Sequence, residues 1–262
     1  MNFISIHPEK CTRCGLCVQS CPVVLIRQDK EALPFAETAD TGNCILCGHC
    51  AAVCPNDALT HALLPRQDFV QTPPKDISAD ALRNLLISRR SVRIYKTDPV
   101  PREQLEQLLQ VCASAPSASN SQKTGYSVIT TAKTLDRIRE LTLDWLRKNR
   151  NGSFYAKAAD EGNDVIMRGG TCLVVAHSPK DYAWNITDST IALTYMELYA
   201  AAMSLGVCWA GLVTIAAQNT PELSRVLGLP EDRITAGALI LGRPRQKHFL
   251  VPPRKSAAVT WL

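Results

Sequence analysis

A block of cysteines written twice constrains this chain more than any other feature. Residues 11–22 read CTRCGLCVQSCP, and 33 positions later residues 44–55 read CILCGHCAAVCP. Each copy has the spacing CxxCxxCxxxCP, with glycine after the second cysteine and proline after the fourth. Three thiolates two residues apart wrap one inorganic cube, while the fourth, set after a longer gap, points elsewhere, and two complete copies make good each other's deficit. The spacing therefore assigns Cys11, Cys14, Cys17 and Cys54 to one 4Fe-4S centre and Cys44, Cys47, Cys50 and Cys21 to a second. Zinc is the alternative, because CxxC pairs also build zinc ribbons, but a four-coordinate ion has no use for a third cysteine in each copy. His49, inside the second copy, reads as a neighbour that tunes the centre and not as a ligand. Cys112, Cys172 and Cys208 fall outside any ligand spacing and read as small buried hydrophobes.

This block is followed by a change of character. Residues 1–65 hold four Lys/Arg against six Asp/Glu and read as one small pseudo-symmetric domain. Residues 66–78 are polar, proline-bearing and unperiodic, as expected of a linker. From residue 79 to 262 helical and strand patterns alternate. The segments 79–89, 101–115, 134–149 and 188–205 have the apolar spacing of helices; 126–130, 171–177, 207–213 and 236–242 read as strands.

Composition narrows the classes of function. The net charge of +5 is spread over 262 residues, far from the clustered basic face of a nucleic-acid-binding domain. The first ten residues carry charge and Pro8 where a secretory leader needs an apolar run, so the eleven cysteines are expected to be reduced in a cytoplasmic protein. Residues 198–217 lack charge over about the width of a bilayer, but Ser204, Gly206 and Gly211 interrupt them. A buried helix to about Leu205 and a buried strand VCWAGLV are expected there, not a membrane span.

Clusters that carry electrons need a partner, yet no GxGxxG follows a strand and no GxxxxGKS/T is present. What stands out is RRSVRIY at 89–95: three arginines and a hydroxyl within five residues form donors suited to phosphate, although a short basic run also suits a solvated helix end. A polar loop APSASNSQ follows at 115–122, then SLGVCWAGLV at 204–213 and a basic tail containing PPRK at 252–255.

These four elements in this order resemble the FMN-dependent nitroreductase family over residues 79–262, and residues 1–65 resemble bacterial two-cluster ferredoxins, so the chain resembles a ferredoxin-nitroreductase fusion. The resemblance implies an α+β fold: a small two-cluster ferredoxin-like domain followed by a nitroreductase-like α/β sandwich. It implies that Arg89, Ser91 and Arg93 hold the FMN phosphate, with Arg90 contributing backbone and Arg254 or Lys255 closing the site. Pro116, Ser117 and Asn120 would contact the flavin, often from the other subunit of a homodimer. Trp209, Ala210, Gly211 and Leu212 would run along the ring, with the Gly211 amide near N5. The loop departs from the family at Ala118, where a hydroxyl is common, and at Lys123, where proline is usual. No catalytic side chain is assigned. Asp188 reads as a helix N-terminal acid and His177 as a strand-end polar residue, while Trp145 and Tyr155 suit either the pocket or the core.

The function expected is a flavin oxidoreductase passing electrons between two 4Fe-4S clusters and FMN to a small electron-poor acceptor: a nitroaromatic, quinone or activated alkene. The electron donor would be a nicotinamide cofactor or a reduced ferredoxin or flavodoxin. The alternative is an electron-transfer module between redox proteins without small-molecule turnover.

Overall fold

The computed structural model describes residues 3–37, 42–149 and 152–262. Two units share the chain, Met1–Asp76 with Ser119–Ser121, and Ile77–Ala118 with Gln122–Leu262. The stretch read as a linker is in its first part folded. Arg66–Asp68 form a 3-10 turn, Arg66 pairs with Asp57 at 2.6 Å and lies over the Phe69 ring, and that ring would meet a Cβ placed on Gly48. These contacts carry the first unit beyond residue 65.

In the first unit β1 (Ile4–Ile6) pairs antiparallel with β4 (Leu59–His61), and β2 (Ile26–Arg27) with β3 (Phe35–Ala36). Short helices α1 (Leu16–Ser20) and α2 (His49–Ala52) follow the glycine of each cysteine block. The sequence repeat is also a backbone repeat. Left-handed φ occurs at Arg13 and Leu46, at Gly15 and Gly48, and at Val24 and Asp57, each pair 33 residues apart. Gly15 and Gly48 both stand at φ 72°, which glycine adopts without the Cβ clash other residues meet. Phe3, Ile4, Leu25, Ile26 and Leu59 form the small core.

The second unit runs α3 (Ala79–Ser88), α4 (Arg102–Ala113), β5 (Gly125–Ile129), α5 (Ala132–Lys148), α6 (Ser153–Asp160), β6 (Cys172–Pro179), α7 (Asn185–Ala202), β7 (Gly206–Trp209), α8 (Gly211–Asn219), α9 (Pro221–Val226) and β8 (Arg233–Gly242). The strands form one antiparallel sheet in the order β5-β6-β8-β7. Because side chains alternate along a strand, β6 and β8 supply both cores. Leu173, Val175, Ala238 and Ile240 pack against α5, α8 and α9; Cys172, Val174, Leu239 and Leu241 pack against α4 and α7. The sheet is thus sandwiched between helices. Cys112, Cys172 and Cys208 are buried, and Trp145 and Tyr155 pack on the first of these cores.

One expected element is corrected. VCWAGLV is not a single strand: β7 stops at Trp209, and Gly211 opens α8. The ladder ends because Ala210 turns to φ −92°, ψ 56° while its N–H still reaches Ala238 O at 2.8 Å. A continuous apolar run has no period to mark that change. Residues 198–217 are divided among α7, β7 and α8, and among the described residues no helix is long and apolar enough to cross a membrane.

Candidate functional site

The cysteines gather in two fours. Cys11, Cys14, Cys17 and Cys54 line one cavity, and Cys44, Cys47, Cys50 and Cys21 line a second. Each set takes its fourth sulfur from the other copy, as the spacing requires. Symmetry extends to the hydrogen bonds: Leu25 N donates to Cys21 Sγ at 3.3 Å, and Ala58 N, 33 residues on, to Cys54 Sγ at 3.2 Å. Backbone N–H groups aimed at sulfur suit thiolates that share a buried negative group. Burial, with Cys47, Cys44 and Cys21 close by, pushes the Cys50 thiol up to about 11. Such a set wants a compensating metal charge. Among the described residues no three His, Cys, Asp or Glu side chains are grouped so as to hold a metal ion; the fit to a cluster rests on the two cavities, each lined by four cysteines. His49 is exposed, whereas His61 meets one of these sulfurs, with Nε2 3.5 Å from Cys44 Sγ. No spacing rule marks His61, because it arrives through the β1–β4 pairing.

In the second unit the RRSVR segment lies alongside β7. Ser91 bridges Val207 in parallel, Val92 N donates to Val207 O at 2.8 Å, and Lys96 N to Arg243 O at 2.8 Å. The Tyr95 ring covers the paired glycines Gly206 and Gly242, whose Cβ positions would lie 3.1 and 2.7 Å from it. Its hydroxyl donates to Val92 O at 2.8 Å.

This placement brings two separate motifs to one carboxylate. Glu197 of α7, 6% exposed, accepts from Arg89 Nη1 at 2.9 Å and from Trp209 Nε1 at 3.2 Å. Glu197 carries no sequence signature beyond its place in an apolar helix, where a buried charge requires a partner. Arg90 donates from Nη1 to Arg89 O at 2.6 Å, while its buried Nε and Nη2 have no hydrogen-bond partner among the described residues. Arg168, absent from every motif, joins this basic surface: burial pushes the Cys208 thiol up, and Arg93, Arg168 and Arg89 pull it down. Gly211 opens α8 without a side-chain cap, and a Cβ there would meet nothing within 4 Å. Open space at Gly211, at the uncapped start of α8, together with the arginines of the neighbouring segment, fits an anionic ring and its phosphate.

The loop at 115–122 is held elsewhere. Asp188, 4% exposed in the first turn of α7, accepts from Ala118 N at 3.2 Å on both oxygens and from Tyr182 OH at 2.6 Å. Asp188 is thus the helix N-terminal acid expected from the sequence, and it also clamps the loop. Pro116 and Ser117 line a cavity with Asp188, Thr124 and Tyr126. Ser119, Asn120 and Gln122 all have left-handed φ near 50°, a concentration of backbone strain common at functional loops. Asn120 Nδ2 donates to Ile45 O at 3.1 Å and Leu46 O at 3.0 Å within the first unit.

Asp188 and Glu197 are nine residues apart on α7. That is two and a half turns, about 14 Å along the axis and on opposite sides. Within one chain, therefore, the loop cavity and the Arg89–Trp209 cluster are not brought together. Arg254 and Lys255 lie in an exposed tail without secondary structure. His177, 7% exposed, lies within β6 and not at its end.

Comparison with known proteins agrees with this division. The Nitroreductase family model matches residues 86–243, and a 4Fe-4S dicluster domain model matches residues 10–59. An FMN reductase (NAD(P)H) of Bacillus subtilis is 28% identical over 184 residues, covering 66% of this chain and 70% of its own. A NADH-quinone oxidoreductase subunit I of Geobacter metallireducens is 37% identical over 88 residues, 26% of this chain and 67% of its own. Among solved structures, a nitroreductase with bound FMN from Desulfitobacterium hafniense superposes with TM-score 0.60 at 20% identity, covering 69% of this chain and 97% of that one.

Proposed function

The chain belongs to the nitroreductase family and carries a 4Fe-4S dicluster domain ahead of that fold, and from this premise we propose a flavin-dependent oxidoreductase that passes electrons between two 4Fe-4S clusters and FMN to a small electron-poor acceptor. Nitroaromatics, quinones and activated alkenes are the acceptor class. A nicotinamide cofactor or a reduced ferredoxin or flavodoxin is the donor. When bound, the clusters supply one-electron transfer and the flavin converts between one- and two-electron chemistry.

The observation that carries the reading is the Glu197 carboxylate shared by Arg89 and Trp209. It fixes the RRSVR segment against the end of β7, so that basic donors and the open backbone at Gly211 form one surface. Arg90, Ser91 and Arg93 face the phosphate role with donors to spare. Arg89 keeps its remaining nitrogens for the same group while Nη1 is held by Glu197. Trp209, Ala210, Gly211 and Leu212 bound the ring position, where a backbone N–H and nearby positive charge favour its anionic reduced form. Pro116, Ser117 and Asn120 complete the site from a second copy, since α7 separates the two halves within one chain. Arg254 and Lys255 reach the phosphate from the tail. A homodimer also covers the exposed Tyr195 and Tyr199 of α7 and Leu82 and Leu86 of α3. The eight ligands are the cysteines of the two copies, the first domain runs past residue 65 and the second begins at about 79, and the protein acts in the cytoplasm.

Protein purified without oxygen is expected to hold about eight irons and one FMN per chain. It should reduce a quinone or nitroaromatic rapidly and saturably. Flavin and iron without turnover of any such acceptor would favour the electron-transfer module. Iron without flavin would remove the flavin site.

A further inference from the structure

The two cysteine sets are alike in spacing and in their backbone donors, but not in the side chains that meet their sulfurs. His61 sits in β4 opposite Ile4 of β1, 3% exposed, its ring 5.5 Å from that of Phe3. Its two nitrogens have different partners. Leu63 N lies 3.1 Å from Nδ1, and Cys44 Sγ lies 3.5 Å from Nε2. A backbone N–H can only donate, so Nδ1 is the acceptor and the ring proton is on Nε2. The contact with Cys44 is therefore an N–H···S bond with sulfur accepting, held from both sides by the fold.

The repeat supplies an internal comparison. Cys44 corresponds to Cys11, and His61 to Gln28, 33 residues earlier. Gln28 Nε2 donates to Arg13 O and Ala32 O at 3.1 and 2.9 Å, so it braces backbone. The first set has instead a hydroxyl, Thr12, at the exposed Cys14. The Leu25 and Ala58 amides occur in both copies and do not distinguish them.

We propose that His61 is a potential-setting residue: its Nε2–H bond to Cys44 raises the reduction potential of the cluster held by Cys44, Cys47, Cys50 and Cys21, and makes the two clusters unequal electron acceptors. One added electron increases the negative charge on the cluster and its ligand sulfurs. A donor at such a sulfur stabilises the reduced form more than the oxidised one, and burial strengthens the effect. No bond breaks and no proton moves; the proton stays on Nε2. The inference rests on the ligand sets proposed above.

The test uses the full chain, purified without oxygen and titrated with dithionite while the reduced clusters are followed by low-temperature EPR. In His61→Leu one midpoint potential should fall and the other stay where it is. His61→Gln, which keeps an N–H, should lie between. An unchanged midpoint in His61→Leu at full iron content, or an equal fall in both, overturns the proposal. Wild-type protein labelled with 15N-histidine gives an independent reading. Pulsed EPR should show a histidine nitrogen coupled to one reduced cluster only, retained in His49→Asn, and absence of that coupling also overturns it. Lack of iron and of any EPR signal in the wild type is a separate failure, that of the cluster assignment itself.

Discussion

Arg90 carries donors in need of an acceptor. Two of its guanidinium nitrogens are buried with no hydrogen-bond partner among the described residues, a costly state that the phosphate of the proposed flavin would relieve. Removing a charged hydrogen bond to phosphate costs about 2 kcal/mol, roughly thirtyfold in Kd. Arg90→Ala and Arg93→Ala are accordingly expected to lose FMN on gel filtration while their iron content stays at the wild-type level; undiminished flavin in both would remove the phosphate assignment. Arg89→Ala is a poorer probe, because it also strips Glu197 of its partner. Asp164 gives the second expectation at this scale. Burial raises its pKa, but the amides of Gly169 and Met167, both at 2.9 Å, and Arg139 outweigh that and hold the carboxyl below its ordinary value of 3.8. Its stabilisation is therefore complete above that value and is lost as pH falls through the depressed one. Asp164→Asn should cost about 2 kcal/mol near neutrality. In thermal melts that difference should narrow only below about pH 4; a difference that narrowed between pH 7 and pH 5 would contradict it.

At the scale of the element, Tyr95 joins three strands' worth of backbone because Gly206 and Gly242 leave room for its ring. A Cβ on Gly242 would stand 2.7 Å from that ring, whose rigidity leaves no easy relief. Gly242→Ala should destabilise by about 2 kcal/mol in denaturant unfolding, with flavin lost in parallel, since Tyr95 OH also holds Val92 O in the RRSVR segment. Loss of stability with full flavin retention would show the two to be independent. The same region marks how far the sequence could be read. Helices α3, α4, α5 and α7 announced themselves by period, and strands β5, β6, β8 and the start of β7 as short apolar or β-branched runs. Helix α8 did not, because 207–213 is apolar throughout and carries no mark where strand gives way to helix. The cysteine sets were legible because a cluster demands fixed spacings. Glu197, Asp188, Arg168 and His61 were not: each matters through a partner between six and 108 residues away that only the fold brings close, and none belongs to a local pattern.

For the molecule as a whole, α7 is the decisive element. It places Asp188 and Glu197 on opposite sides, so the proposed flavin site, with the 115–122 loop as part of it, needs two chains. Tyr195 and Tyr199, each more than a third exposed, lie on its free face. The double variant Tyr195→Glu/Tyr199→Glu is expected to sediment as a monomer that keeps its iron and loses FMN; a monomeric wild type that retains flavin would refute the two-chain site. The repeat in the first unit carries a consequence for biosynthesis. On the proposed pairing, each cube takes three sulfurs from one copy and one from the other. A nascent chain that has emerged only through Cys21 thus offers three ligands to one cube and a single ligand to the second. The second has all four ligands once Cys50 has left the ribosome, but the first, three of whose sulfurs emerge earliest, cannot be closed until Cys54 has followed, so the cube begun first is the last to be completed.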